Sequence, residues 1–335
     1  MTLHNLCAID SHRLPIHCGL VFNRVNSSSV IHIAAIFAFD YALTVAFFLA
    51  GGEMKAINSF SFNRHSISIA VCLILSVPFT VVAATLQSRT LEAWNVYLRL
   101  AEMRIEKELQ SSSGFLRVDF MKPIDAAKVW DGLKNGKIYV EPVRTLDYEG
   151  HEFHVPGGMI HHWYGIIFVP GIKVEPLLRW IQDYDHHSMY FKEVEQSRLL
   201  SQHDGTFLIH LRLTRTKFVT VHYNTDHEVI YRNHGPGRVS SRSFALRIAE
   251  IDKAGTPFET EEPVGSDSGY MWRLNSYWRF REQDGGVVIE CESISLSRSI
   301  PYGFGWLVHE YVESVPRESL ESVLTSIREG TGGVH

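Results

Sequence analysis

Histidines and closely spaced glutamates are the residues of this chain with most chemistry to offer. His151, His154, His161, His162, His186 and His187 fall within 37 residues, a density that suits imidazole ligation of a transition metal. His151 and His154, spaced HEFH, point to opposite faces of a strand and lack the HExxH spacing that aligns two imidazoles on a helix. A metal would need a composite site such as His154, His162 and His186. Surface or hydrogen-bonded core histidines are the simpler reading, so no metal ligand is assigned. Glu290 and Glu292, in VVIECESISL, alternate as strand residues do. Turned inward, they would be buried carboxylates needing Arg279, Arg247 or Arg298, and available as acid or base. Turned outward, they form a cross-strand Glu–Arg ladder, the expected arrangement. The chain has no GxSxG or Ser-x-x-Lys, and neither Gly157-Gly158 nor Gly235-Pro-Gly237 opens a helix after a strand. No catalytic residue and no cofactor is assigned.

Four of the 335 residues are cysteines, and Cys7, Cys18 and Cys72 stand in the first 84. That stretch differs from the rest. Val30 to Ala50 is apolar apart from His32 and Asp40, and Ile67 to Ala84 carries no charge. Read together they are two membrane-spanning segments, with Asp40 costing roughly 2.5–3.5 kcal/mol near the middle of the first. Read from Met54, Lys55 and Arg64 form a basic n-region, Ile67 to Thr80 an apolar h-region, and Val82-Ala83-Ala84 a cleavage site, with Pro78 ending the h-region helix. On that favoured reading residues 1–53 are an over-long gene start or a first hydrophobic segment, and 54–84 a signal peptide or anchor. The large domain is then exported, periplasmic or extracellular, or held by the membrane through an uncleaved N-terminal segment. Beyond residue 84 there are 28 basic and 34 acidic side chains, net −6, and Cys291 alone. That balance argues against nucleic acid as partner, and the domain forms no internal disulfide. Cys291 reads as a buried, inert thiol. Arg212, Arg215, Lys217 and Arg242, near Phe218 and Phe244, are interspersed with acids and read as a solvated sheet face.

These residues must be positioned by elements with legible periods. Leu91, Trp94, Leu98, Ala101, Ile105 and Leu109 recur at three- and four-residue steps, predicting a helix over 90–110 capped by Thr90. The extension is set at 85–135 and the main domain at 136–330. Short strands are expected at 137–141 and 152–155, and a long one at 159–170. A helix follows with Pro176 near its start. Further strands are expected at 194–201, 206–214, 217–224, 228–234 and 241–252. Tyr270–Glu282 and Gly286–Arg298 pair across Gln283-Asp-Gly-Gly286, the strongest hairpin signal of the chain. A last helix is expected after Ser314, with Pro316 in its first turn and Leu320, Val323, Leu324 and Ile327 as its stripe.

From His161 to Gly330 the chain resembles the START/polyketide-cyclase (SRPBCC) superfamily, as an exported member of bacterial type. The residues that carry the likeness are HHWYGIIFVPG, WRLNSYWRF, GGVVIECESISLSRSIP and WLVHEYVESVPRESLESVL. What the resemblance implies is an α+β helix-grip fold: a curved antiparallel sheet wrapped around a long C-terminal helix, with an apolar cavity between them. Trp163, Trp180, Tyr184, Leu274, Trp278, Phe280 and Trp306 are the expected cavity lining. His162, Glu290, Glu292 and Arg279 are the candidate polar anchors. The expected activity is non-catalytic binding of an apolar small molecule or lipid. The alternatives are a cyclase- or hydrolase-like enzyme using an inward Glu or His, and an envelope structural or interaction protein with a filled core. Oligomeric state is not legible.

Overall fold

The computed structural model describes residues 84–217, 219–299 and 305–331, and of 305–313 the backbone only. Strand β1 (Ala84–Thr85) leads into helix α1 (Ser88–Leu109), a 3-10 turn (Arg117–Phe120), α2 (Pro123–Lys134), β2 (Tyr139–Pro142) and β3 (Gly158–Pro170). Two short helices follow, α3 (Val174–Ile181) and α4 (His187–Tyr190). The run β4 (Val194–His203), β5 (Thr206–Thr216), β6 (Thr220–Asn233) and β7 (Arg238–Asp252) comes next, then β8 (Thr260–Glu261) and β9 (Ser266–Asp267). A hairpin of β10 (Arg273–Gln283) and β11 (Gly286–Arg298) precedes helix α5 (Gly305–Thr331). The main sheet is antiparallel in the order β2-β3-β11-β10-β7-β6-β5-β4, with β8 on β7; β1 pairs with β9 apart from it.

Turn chemistry sets the register of two hairpins. Asp284 and Gly285 both have positive φ, 51° and 75°, as do Asp204 and Gly205 at 45° and 75°. Two consecutive left-handed residues are the two-residue turn that matches strand twist. From the first of these turns, Trp278 pairs with Cys291 and Arg279 with Glu290.

Alternation then gives the sheet two covered faces. Val287, Ile289 and Cys291 pack with Ile167, Val169 and the α5 residues Leu320, Leu324 and Ile327; this is the inner face. Ile294 and Leu296 pack instead with Trp94, Ala101 and Ile105 of α1, and Val288 and Ile166 with Val129 and Leu133 of α2; this is the outer face. A curved antiparallel sheet gripping a C-terminal helix is the expected α+β helix-grip architecture. Among the described residues no helix is long and apolar enough to cross a membrane. The readings of leader, anchor and early start fall on residues outside the described ones.

Several elements differ from expectation, each for a physical reason. Helix α1 starts at Ser88, because Thr90 is buried and its hydroxyl donates to the Pro156 carbonyl at 2.5 Å instead of capping. The strand expected at 152–155 is a single bridge, Leu146 to Glu152. The two strands expected either side of Thr225-Asp226 are one continuous strand, β6. The gap expected between 224 and 228 is a bulge between Asp226 and His227, where the Thr225 hydroxyl bonds the Leu211 carbonyl inside the sheet. Helix α5 begins at Gly305 and runs through Pro316. A proline in the first turn and one in the interior have the same local sequence, so Ser314-Val-Pro read as a start. Helix α2 and the 3-10 turn were not singled out in the sequence.

Helix α5 sits close to the sheet because β3 has glycine beneath it. A Cβ on Gly165 would lie 2.6 Å from Leu324 Cδ1 and 3.0 Å from Leu320 Cδ2. Gly165→Val therefore overpacks the grip and is expected to cost about 1–3 kcal/mol, read as a lower urea midpoint with an unchanged slope.

Candidate functional site

Two sites emerge, one on each face of the sheet. On the outer face, Tyr277, Arg279 and Arg281 of β10 lie opposite Glu292, Glu290 and Val288 of β11, and Glu292 and Glu290 lie opposite Tyr164 and Ile166 of β3. Helix α1 lies over them and contributes Tyr97, Arg104 and Glu108. Arg279, 2% exposed, donates to Glu108 Oε2 at 2.6 Å and to the Phe115 carbonyl at 3.0 Å. Its Nε is 3.4 Å from Glu290 Oε1 and its Nη2 3.6 Å from Glu292 Oε1. The Arg117 backbone N–H donates to both oxygens of Glu290, at 2.8 and 3.0 Å, and the Tyr164 hydroxyl to Oε2 at 3.0 Å. Glu292 takes a two-pronged bond from Arg104, at 3.1 and 2.5 Å. Arginines 104, 117 and 279 thus face glutamates 108, 290 and 292 in one network, in which Arg279 and the glutamates are buried and Arg104 and Arg117 half-buried.

His162 closes it. Its Nε2 is 3.0 Å from Glu292 Oε2 and its Nδ1 2.9 Å from the Tyr97 hydroxyl. Burial lowers its pKa despite Glu292. The neutral ring therefore carries its proton on Nε2, donates to the carboxylate, and accepts from Tyr97. Burial pushes the Glu292 carboxyl up, but the His162 N–H and the Arg104 guanidinium outweigh it and hold the group well below the usual carboxylate range. Glu290 goes the other way. Its burial prevails over Arg279 and the Arg117 N–H, with Glu292 adding to it, and it is pushed up to about 7. Two carboxylates on one strand are driven apart by what surrounds them.

The four candidate anchors therefore come together, but not in the grip. His162, Glu290, Glu292 and Arg279 all lie on the outer face beneath α1, turned away from α5. They form the Glu–Arg ladder expected of outward residues, yet at 1–4% exposure they are as buried as inward ones. The sequence signal for this was Tyr97, Arg104 and Glu108, which continue the apolar stripe of α1 at helical spacing.

The inner face is built of different chemistry. One transverse row runs Phe207, Val229, Ser243, Ser276, Ser293, Trp163 across β5, β6, β7, β10, β11 and β3. The next row toward the β10–β11 turn has Tyr231, Ser241, Trp278, Cys291 and Gly165. Three adjacent serines thus interrupt an otherwise apolar inner face. Trp163, Trp278 and Trp180 are half-buried against the apolar cluster beneath α5, and Phe280 is fully buried in it, stacked with Trp278 at 6.3 Å. Trp180 also packs on Tyr190 and lies where a Cβ on Gly330 of α5 would have to go. Tyr184 belongs to a second cluster with Phe207, Ile209 and Val229, and its hydroxyl is 2.9 Å from that of Tyr231. Leu274 is half-buried two residues before Ser276 on the same face. Trp306 lies on α5, with its side chain outside the described residues.

The remaining histidines have separate settings. His161 Nε2 is 2.9 Å from Ser297 Oγ on the inner face. His186 is exposed, 2.7 Å from Asp183 Oδ1, while His162 is buried on the opposite face of the sheet. Among the described residues no group of three or more His, Cys, Asp or Glu is placed to hold a metal ion. Cys291 is buried in the inner apolar cluster, and burial raises its thiol pKa. Arg212 is paired with Glu195 and Glu259, and Arg215 with Glu193 and Glu318.

The sheet order and the gripped helix define a helix-grip protein. No family model and no curated protein matches the chain. Solved structures do, and three are representative. Human StAR-related lipid transfer protein 5 has 11% identity and a TM-score of 0.39, covering 72% of this chain and 96% of its own. A fragment of the STAR-related lipid transfer protein from Xanthomonas axonopodis has 15% identity and a TM-score of 0.37, covering 56% and 98%. The ZhuI aromatase/cyclase from a Streptomyces species has 11% identity and a TM-score of 0.35, covering 52% and 94%. At these scores the likeness adds nothing to what the strand order and the helix establish.

The buried network makes two tests. Arg279→Leu leaves carboxylates without their shared cation and is expected to destabilise the fold by about 3–5 kcal/mol, measured by chemical denaturation. Glu290 gives a pH signature. The folded state holds its proton more tightly than the unfolded chain, so its contribution is full below the ordinary carboxylate pKa and is lost as pH rises through about 7. Glu290→Gln removes that loss. The variant should gain stability relative to wild type as pH goes from about 5 to about 8, and a constant difference would show that Glu290 does not titrate there.

Proposed function

We propose that this protein binds an apolar small molecule or lipid on the inner face, between the sheet and the first half of α5. The row Ser243, Ser276 and Ser293 carries this reading. Close-packed interiors put large side chains opposite a covering helix, and three neighbouring hydroxymethyl groups leave volume there. Half-buried Trp163 and Trp278 flank the serines on two strands. An apolar wall with a few convergent polar groups is the usual make-up of a small-molecule site. Burial of ligand surface would supply the affinity, at about 25 cal/mol per Å². The lipid-transfer names among the similar structures agree with this reading, which does not rest on them. Acid–base catalysis through Glu290, Glu292 or His162 is less well supported, because those groups face α1 and are engaged with donors.

The leader-like segment supports export of the domain, with Lys55 and Arg64 ahead of Ile67–Thr80 and small residues at Val82 and Ala84. N-terminal sequencing of the natural product should start at Thr85; an intact Met1 would refute cleavage.

Purified protein is expected to bind a hydrophobic fluorescent dye and to release an apolar species into an organic extract read by mass spectrometry. Ser293→Leu, which fills the space, should weaken dye binding about tenfold with little change in melting temperature. A protein that binds no dye and carries no apolar species is not an apolar-ligand binder.

A further inference from the structure

The inner face carries no charge along the stretch that holds the serines. On β3 the inner positions from Met159 to Val169 are Met, His, Trp, Gly, Ile and Val; on β11, from Val287 to Ser297, they are Val, Ile, Cys and three Ser. β10 gives Leu274, Ser276, Trp278 and Phe280, and β7 gives Val239, Ser241, Ser243 and Ala245. Asp, Glu, Lys and Arg are missing from all of these positions. A charged group placed against these strand positions would be desolvated and would find no counter-ion among them, at a cost of several kcal/mol or more.

One polar relay is built into this neutral wall. The Thr225 hydroxyl donates to the Leu211 carbonyl at 3.0 Å, so its proton is committed and its oxygen can only accept. His227 Nε2, 3.0 Å from that oxygen, must therefore carry the ring proton. His227 is buried, and burial lowers its pKa to about 4, so the ring is neutral and its Nδ1 is a bare acceptor. Among the described residues the donor at Nδ1 is the Ser243 hydroxyl, 3.4 Å away. The chain of donors runs Ser243 to His227 to Thr225 to Leu211, and it leaves Ser243 Oγ with only lone pairs to offer. Thr225 is completely buried and His227 is 5% exposed, so the relay is held by the sheet itself. Beside it, Ser276 Oγ accepts from Trp278 Nε1 at 3.1 Å, which leaves the Ser276 proton free.

From this geometry we infer that the ligand of the inner face is an uncharged apolar molecule with a hydroxyl group, which donates to Ser243 and accepts from Ser276. Ser243 is its specificity-determining residue, and His227 and Thr225 position Ser243. This inference rests on the inner-face binding reading above and adds the ligand class to it. The relay is a fixed set of dipoles rather than a reactive pair, because a ring with so low a pKa is a weak base.

The test is competition against a bound hydrophobic dye at near-neutral pH, with probes of one chain length: dodecane, dodecan-1-ol, dodecanoate and dodecyltrimethylammonium, each below its micellar range. Dodecan-1-ol is expected to compete at least about tenfold better than either ion and about three- to tenfold better than dodecane. In Ser243→Ala the advantage of the alcohol over the alkane, both measured against dye bound to the variant itself, should fall to near one. Dodecanoate or the ammonium probe equalling the alcohol overturns the ligand class while dye binding stands. An undiminished alcohol-to-alkane ratio in Ser243→Ala overturns the anchor. Dye that does not bind at all overturns the inner-face reading, and this inference with it.

Discussion

Arg279 is the fixed point of the molecule. An arginine at 2% exposure survives only with counter-charges at hand, and here they come from two directions. Glu290 and Glu292 reach it from the neighbouring strand, and Glu108 from a helix 171 residues earlier in the chain. The sheet alone would leave Arg279, Glu290 and Glu292 facing water, and the helix alone would leave Glu108 and Arg104 on its surface. Only when α1 is seated do Arg104 and Glu108 complete the set. The helix is therefore part of the domain rather than an appendage, and its apolar contacts with Ile294 and Leu296 share one footprint with its charges.

That arrangement divides labour between the faces of three strands. β10 and β11 carry charge on the side toward α1, β3 adds the neutral His162 and Tyr164 that bond to it, and none of the three carries charge along the serine stretch toward α5. Charges on the outer face give directional, partner-demanding contacts that fix where a helix sits. Small hydroxyls on the inner face impose no counter-ion. One hairpin thus supplies both a charged outer seam and an uncharged inner wall, because side chains on a strand alternate.

Much of this was legible in the sequence, and the failures are instructive. The β10–β11 hairpin, the stripe of α1 and the α+β order follow from turn residues and periodicity. The direction of Glu290 and Glu292 did not, because apolar residues occupy both faces of β11: Ile289 beneath α5, Val288 and Ile294 beneath the N-terminal helices. Periodicity assigns a face only when the other face is wet, and here neither is. His227 and Thr225 went unnoticed for a related reason. Both fall in the gap expected between the strands 217–224 and 228–234, yet a bulge lets them remain inside one strand, where their polar atoms bond one another and the Leu211 carbonyl.

The order of the partners along the chain has a consequence for biogenesis. Helix α1 leaves the ribosome long before the strands it docks on; Arg104 and Glu292 are 188 residues apart. At synthesis rates of about 5–20 residues per second, that is on the order of ten to forty seconds of waiting. During that interval Trp94 and Tyr97, both buried in the finished protein, have no sheet to cover them. The helix is then an orphan amphipathic segment beside nascent strands, and its stripe is the surface a chaperone would have to shield. The last strand to be made is the one that ends the wait, so premature termination before β11 leaves the entire outer seam unmade.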